Sequence, residues 1–456
     1  MLSVGIGVTG LVTYAYFSLA SYGLSAADYG GITLLWTSVF FVVSVLYRPV
    51  EQLLSRTIAD RDAHGRTGSS HLRVAATIQI GFGVLFLMAV LLLREPVQEG
   101  LFGGSSALYG VLVVAVLAYA ASYFARGFLA GHRHFALYGG LVFMEAVSRC
   151  LFALAVVLGL LSGQTVVALG LAAAPLVSLL VVPFALGRRV RGERARSVPA
   201  AAGVGDGGPV ESAGPVEDIT TLEPASPAEP SAGPPATETE FTMARGGGFA
   251  AAVLLIMVAE QTFLNAGPLL VKATEGAAGT ALAGFVFNAL LIARAPLQLF
   301  QAVQTSILPH LTGLFASGEA DPFRRSVNAT LVAVGAFGAT VALGMLLLGP
   351  WVMGLLFGGD FPYGRLGLVL VAVGMGLYLA AATLNQAALA RGQAARAAVC
   401  WVGSAAAFVA FLLTPGFEDR VLQVEAGFAG AALLLCALLL RLYGVRRTQR
   451  PASPSP

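Results

Sequence analysis

The sequence predicts an all-α polytopic membrane protein of about twelve transmembrane helices in two pseudo-symmetric six-helix bundles. Three observations carry this. The chain is 57% hydrophobic and only 11% charged, whereas soluble globular chains carry about 25% charged residues. Apolar runs recur at about the 20 residues needed to cross roughly 30 Å of hydrocarbon. A polar, proline-rich stretch at 188–247 divides those runs six to six.

The runs lie near residues 2–24, 31–53, 74–93, 107–125, 138–161, 164–187, 248–271, 279–302, 327–349, 365–389, 397–414 and 422–442. The first has no basic n-region ahead of it and no small-residue cleavage site after it, so it is expected to stay as a helix. The second ends in "VLYRPVEQLLSR" (Val45 to Arg56), which puts Arg48, Pro49 and Glu51 inside a span. The third, "VAATIQIGFGVLFLMAVLLL", is unbroken. The fourth leads into a short basic turn, "LAGHR" (Leu129 to Arg133). The fifth carries Glu145 and Arg149 at i, i+4 with the acid first, the spacing of a direct intrahelical ion pair. Gly, Ala and Pro soften the sixth.

The stretch "PAAAGVGDGGPVESAGPVEDITTLEPASPAEPSAGPPATETE" then holds eight of the 22 prolines, eight acidic residues and no aromatic. It has too little apolar surface to fold and is expected to be a disordered cytoplasmic linker, 188–247. The seventh run carries Glu260 within "AEQTFLN". The eighth holds "ARAPLQLFQ" (Ala293 to Gln301), so that Arg294, Gln298 and Gln301 repeat the Arg48, Gln52, Ser55 pattern of the second. The ninth follows a basic connection, and the tenth, softened like the sixth, ends in "LARGQ" (Leu389 to Gln393), the counterpart of "LAGHR". The eleventh and twelfth close the second half, ahead of a tail at 446–456. The expected units are thus 1–187, the linker 188–247, 248–445 and the tail.

Basic residues orient the spans. Of the 27 Lys and Arg side chains, twenty fall in the even-numbered connections and the C-terminal tail, Arg126 and Arg133 among them. Four, namely Arg94, Lys272, Arg365 and Arg420, fall in the odd connections, and Arg48, Arg149 and Arg294 fall within spans. This bias places both termini on the cytoplasmic side of a cytoplasmic (inner) membrane. Both halves then start on the same side, so the repeats are parallel, a relation that usually puts a substrate site between the halves.

Ionisable residues inside spans are costly and face a cavity or a partner. At about 1.5 Å per residue, Arg149 and Glu260 come out near the midplane and Arg48 and Arg294 about 5–12 Å from the cytoplasmic edge. Arg48 with Gln52, and Arg294 with Gln298 and Gln301, form polar stripes that need a wet or protein-lined surface. Arg48, Gln52, Arg149, Arg294, Gln298 and Gln301 are the candidate substrate-binding residues. Glu51, Glu145 and Glu260 are the candidate coupling carboxylates. Guanidinium groups bind phosphate in a bidentate fork and stay charged, so the expected substrate is a phosphate-bearing anion. Pro49, Pro175, Pro183, Pro268 and Pro296 offer kink sites. Cys150, Cys400 and Cys436 all fall in apolar runs and read as packing residues rather than a disulfide set or metal site. No phosphate-binding Gly-Lys-Ser/Thr loop, H-E-x-x-H or G-x-S-x-G motif is present, and no extracytoplasmic connection is long enough for a catalytic domain. A transporter, not an enzyme, is expected, with no cofactor, no metal and no nucleic acid.

Residues 24–66, "LSAADYGGITLLWTSVFFVVSVLYRPVEQLLSRTIADRDAHGR", resemble the first hairpin of polysaccharide-transporter-type flippases. Residues 124–154, "FARGFLAGHRHFALYGGLVFMEAVSRCLFAL", resemble the same group in their R-G-x-L-A-G turn and the E-x3-R helix after it. These flippases belong to the multidrug, oligosaccharidyl-lipid and polysaccharide exporter superfamily. The resemblance implies a two-lobed, V-shaped carrier that moves polyprenyl-pyrophosphate-linked oligosaccharide to the outer leaflet, with membrane lipids and polysaccharide-assembly enzymes as partners. Lipid II flippases of that superfamily place arginines in the second and eighth helices, the positions of Arg48 and Arg294. The first span here lacks their basic residues, and there are twelve spans rather than fourteen. Both departures favour an exopolysaccharide or cell-wall glycan precursor over lipid II. Two other functions compete: a multidrug-type cation-coupled antiporter using Glu260, and a non-transporting scaffold acting through the linker.

Overall fold

The computed structural model describes residues 2–63, 69–181, 243–292, 320–358, 363–415 and 417–444. Among the described residues, helix is found in each of the twelve expected runs, the sixth being described to 181 and the eighth to 292. The first half holds α1 (Leu2–Gly23), α2 (Ala26–Leu46), α3 (Arg48–Ala63), α4 (Ser70–Leu92), α5 (Ser106–Gly131), α6 (Phe135–Val157) and α7 (Gln164–Ser178). The second half holds α8 (Met243–Glu275), α9 (Gly279–Ile292), α10 (Ala320–Phe357), α11 (Arg365–Ala390), α12 (Ala394–Leu412) and α13 (Arg420–Gly444). Among the described residues, nine helices are long and apolar enough to cross a membrane, and α7 and α9 are shorter apolar helices. Most of the linker, and Arg294, Gln298 and Gln301 with it, lie outside the described residues. The last five residues of the expected linker, 243–247, already belong to α8.

Local chemistry sets the helix ends. The Ser25 hydroxyl accepts from the Asp28 amide and caps α2 (3.1 Å). Ser105 does the same for α5 through Leu108 (3.3 Å). The second span folds as two helices meeting at Tyr47. Pro49 accounts for the break, because it has no N–H to close the helical bond one turn back. Beyond it α3 continues past the expected membrane edge to Ala63. Its Val50, Leu54 and Ile58 are buried, on the side that packs against α5.

Within the first lobe α6 packs on α1 and α7, and α5 packs on α3 and α7. Within the second, α11 packs between α10 and α13, and α12 against α8. Each lobe has an aromatic core. In the first, Phe17 meets Trp36 at 4.8 Å and Trp36 meets Phe40 at 4.3 Å between ring centroids. In the second, Phe263, Tyr378, Trp401, Phe408 and Phe428 form the cluster, with Tyr378 and Trp401 at 5.5 Å. The outward faces of α4 and α10 expose Leu85, Met88, Leu92, Val332, Leu347 and Trp351, which suits contact with acyl chains.

The repeat is visible in register. The α5–α6 turn contains Arg133 at φ 58°, and the α11–α12 turn contains Gly392 at φ 70°. Both turns reverse the chain through a left-handed residue, a conformation that glycine adopts without steric cost. The separation of these two residues also maps the end of α5 onto the end of α11 and the start of α6 onto the start of α12. It maps Tyr119 onto Tyr378, Arg126 onto Asn385 and Glu145 onto Ser404.

The lobes meet along α2 with α8 and α1 with α10. Among the described residues, the inter-lobe hydrogen bonds lie between the middle of α1 and the start of α2. Tyr14 and Ser18 donate to the carbonyls of Leu291 and Leu356, Tyr22 donates to that of Leu355 (2.8 Å), and Tyr29 donates to the Asn288 side chain.

Candidate functional site

Four charged groups of the first lobe, Arg48, Glu51, Arg126 and Glu145, form one connected cluster. Arg48 opens α3, is half-buried, and lies within electrostatic reach of Glu51, Tyr123, Tyr138 and, across the interface on α8, Glu260. The Tyr138 hydroxyl donates to Glu51 Oε1 at 3.0 Å. Glu51 in turn lies near Arg126 and Arg48. The Arg126 guanidinium sits 4.5 Å from the Tyr123 ring centroid and pairs with Glu145. Ser122 donates to Glu145 Oε1, and Ser178 lies 3.3 Å from the same oxygen. Glu145 and Arg126 are both buried.

The expected intrahelical pair of Glu145 with Arg149 is not formed. Glu145 turns to α5 and α7, where a guanidinium and two hydroxyls satisfy its oxygens. An i, i+4 pair offers only about 0.2–0.5 kcal/mol, which such tertiary partners outweigh. Arg149 turns the other way. Its Nη1 donates to the Tyr119 hydroxyl at 2.6 Å, and its guanidinium carbon lies 4.8 Å from the Trp36 ring and 5.7 Å from that of Phe40. It is 5% exposed, enclosed by aromatic rings.

Glu260 is half-buried on α8, close to Tyr378 as well as to Arg48. Its neighbour Gln261 is buried and accepts, at its Oε1, from Asn265 Nδ2 at 3.1 Å. Gln52 is exposed, one turn beyond Arg48. The structure therefore brings Arg48, Glu51, Glu145 and Glu260 into one neighbourhood and seats Arg149 apart in its cage.

Several members escaped the sequence reading. Arg126 is the first. It was expected in a cytoplasmic turn, but α5 runs on to Gly131 and buries it. The signal was available: Tyr119, Ser122, Tyr123 and Arg126 follow the i, i+3/i+4, i+7 spacing of a polar stripe. Lys272, expected in a loop, is buried in α8 and donates to the Gly276 carbonyl (2.8 Å) and the Thr280 hydroxyl (2.7 Å). Glu425 lies inside the twelfth span, is 5% exposed, and occupies space that a side chain at Gly367 would take. In the second lobe, Asn385, bonded to Trp401 (3.2 Å), stands in the register of Arg126.

No protein-family model and no curated protein matches the chain. Solved structures do. A multidrug resistance MATE family transporter of the MOP superfamily, in an inward-facing conformation, aligns with a TM-score of 0.64 at 12% identity, over 97% of this chain and 96% of that one. The lipid II flippase MurJ, in an inward closed conformation, aligns with a TM-score of 0.61 at 11% identity, over 97% and 87%. A Vibrio cholerae MATE transporter aligns at 0.57 and 14% identity, over 97% and 96%. The fold is the one these transporters share. At such identities the likeness speaks to architecture, and the role of each side chain rests on the geometry above.

Proposed function

We propose that this protein is an alternating-access flippase. In this reading it carries a polyprenyl-pyrophosphate-linked oligosaccharide, an exopolysaccharide or cell-wall glycan precursor, across the cytoplasmic membrane with both termini inside. The observation that carries the reading is Arg48. It is a half-buried guanidinium within electrostatic reach of Glu260 of the opposite lobe. A cation placed there can exchange an internal carboxylate partner for a substrate phosphate as the lobes move. The buried Arg126–Glu145 pair lies beside Glu51 in the same cluster, and Arg294, Gln298 and Gln301 remain further candidate contacts for the substrate. The fold shared with a lipid II flippase supports a lipid-linked headgroup.

The test is flipping of a fluorescent polyprenyl-pyrophosphate oligosaccharide in proteoliposomes. Arg48→Ala is expected to abolish it while the protein stays folded. Full activity of that variant would remove the reading.

A second reading, a cation-coupled multidrug antiporter, is favoured by one specific feature. Among the described residues, Arg126 and Arg48 have acidic neighbours in Glu145, Glu51 and Glu260, which reduces the positive excess of the cluster. The fold is shared with MATE transporters as well. Drug resistance gained on overexpression, and lost with Glu260→Gln, would select this alternative.

A further inference from the structure

At the α1–α2 turn the two lobes touch through neutral side chains and bare backbone, with Lys272 bonded behind them to the Thr280 hydroxyl. Tyr29 on α2 is fully buried and donates to Asn288 Oδ1 on α9, in the other lobe. Asn288 Nδ2 donates to the Tyr363 hydroxyl at 3.0 Å, so one amide side chain joins two tyrosines. Beside this relay, Gly30 rests on the α9 backbone. A Cβ at Gly30 would stand 1.9 Å from the Thr280 carbonyl oxygen, and one at Gly284 would stand 3.1 Å from the Gly30 Cα.

Two consequences follow from this chemistry. The Tyr29–Asn288 bond exists only while the lobes touch, and neither partner carries a charge that opening would have to solvate. The glycine contact is possible only without a side chain, because its partner is backbone and cannot rotate aside. We infer that Tyr29, Asn288 and Tyr363, with the Gly30–Gly284 contact, form the latch that holds this end of the interface shut, in the alternating-access cycle proposed above. Loss of one neutral hydrogen bond shifts such an equilibrium about fivefold. Loss of the backbone contact excludes the closed state altogether.

A cysteine behind the latch reads this directly. Thr37 lies two turns beyond Gly30 on the same face of α2, is fully buried, and its hydroxyl has no hydrogen-bond partner. Thr37→Cys is placed in a chain whose Cys150, Cys400 and Cys436 are alanine, and labelled with a membrane-impermeant maleimide added outside intact spheroplasts. Tyr29→Phe, which keeps the ring, is expected to raise the labelling rate about fivefold. Gly30→Ala is expected to make the site permanently reactive. Gly110→Ala, at a helix position with open space around it, should leave the rate at its parental value. An unchanged rate in folded Tyr29→Phe overturns the latch, as does an equal rise with Gly110→Ala. Labelling needs no substrate. A latch that opens in a chain moving no saccharide-lipid would remove the substrate reading alone, and unchanged labelling in an active flippase would remove the latch alone.

Discussion

Arg48, Arg126 and Arg149 are three guanidinium groups in one lobe with three different surroundings, and the surroundings predict different mutant behaviour. Arg149 is enclosed by Tyr119, Trp36 and Phe40. Cation–π contact in a desolvated setting contributes about 2 kcal/mol. Arg149→Ala is therefore expected to lower the melting temperature in detergent by several degrees, while Arg48→Ala melts like the parent and loses transport. Thermal unfolding and flipping measured on the same preparations check this pairing. Equal melting of both variants would return Arg149 to the candidate substrate-binding residues. The Arg126–Glu145 pair is buried on both sides. Removing one partner of such a pair costs about 3–5 kcal/mol, since the other charge is left stranded. Glu145→Ala should unfold at markedly lower temperature, and adding Arg126→Leu should recover most of the loss. Failure of the second change to rescue the first would show that the two side chains act separately.

At the scale of elements, every helical span was legible because crossing hydrocarbon imposes a length and a composition that few other structures share. Helix ends were less legible, because the constraint stops at the membrane edge and the helices do not. The second span was read to residue 53 but runs in α3 to Ala63, and the ninth was read as 327–349 but occupies Ala320–Phe357. Arg126 was misplaced for the same reason: an arginine at the end of an apolar run looks like a loop residue until the helix is known to continue. Pair partners were legible least, since i, i+4 spacing says which side chains can touch and nothing about better partners on neighbouring helices. The paired turns make a prediction of their own. Arg133 holds a left-handed conformation that its counterpart Gly392 adopts freely, and a side chain there costs roughly 1 kcal/mol. Arg133→Gly should leave stability equal or raised by up to about 1 kcal/mol, and Gly392→Ala should lower it by a similar amount. Thermal unfolding measures both, and opposite signs are the expected result.

For the molecule as a whole, what remains is how two lobes of unequal charge work as one machine. The register of the repeat sets Asn385 where the first lobe has Arg126 and Ser404 where it has Glu145. The lobes share a scaffold but not a chemistry: the buried Arg126–Glu145 ion pair of the first has a neutral Asn385 and Ser404 in its register in the second. In the alternating-access cycle proposed above the lobes rotate against each other, and the chain between them need only be long enough to permit it. The segment 182–242 joins α7 and α8 in the sequence, and its stretch 199–240 is rich in proline and acid and has no aromatic. Removing 200–240 leaves 182–199 and 241–242 to span the gap. Those residues reach as far as about 65 Å when extended, more than a bilayer is thick, so rocking is not tethered. A carrier whose work is done between the lobes should then flip substrate at the parental rate in proteoliposomes after the deletion. It should also restore growth or polymer export in a strain lacking the full-length chain. A scaffold that recruits enzymes through the same segment would keep its fold and lose that complementation. Parental flipping in vitro with failed complementation in cells would assign the segment a recruiting role on top of a working transporter.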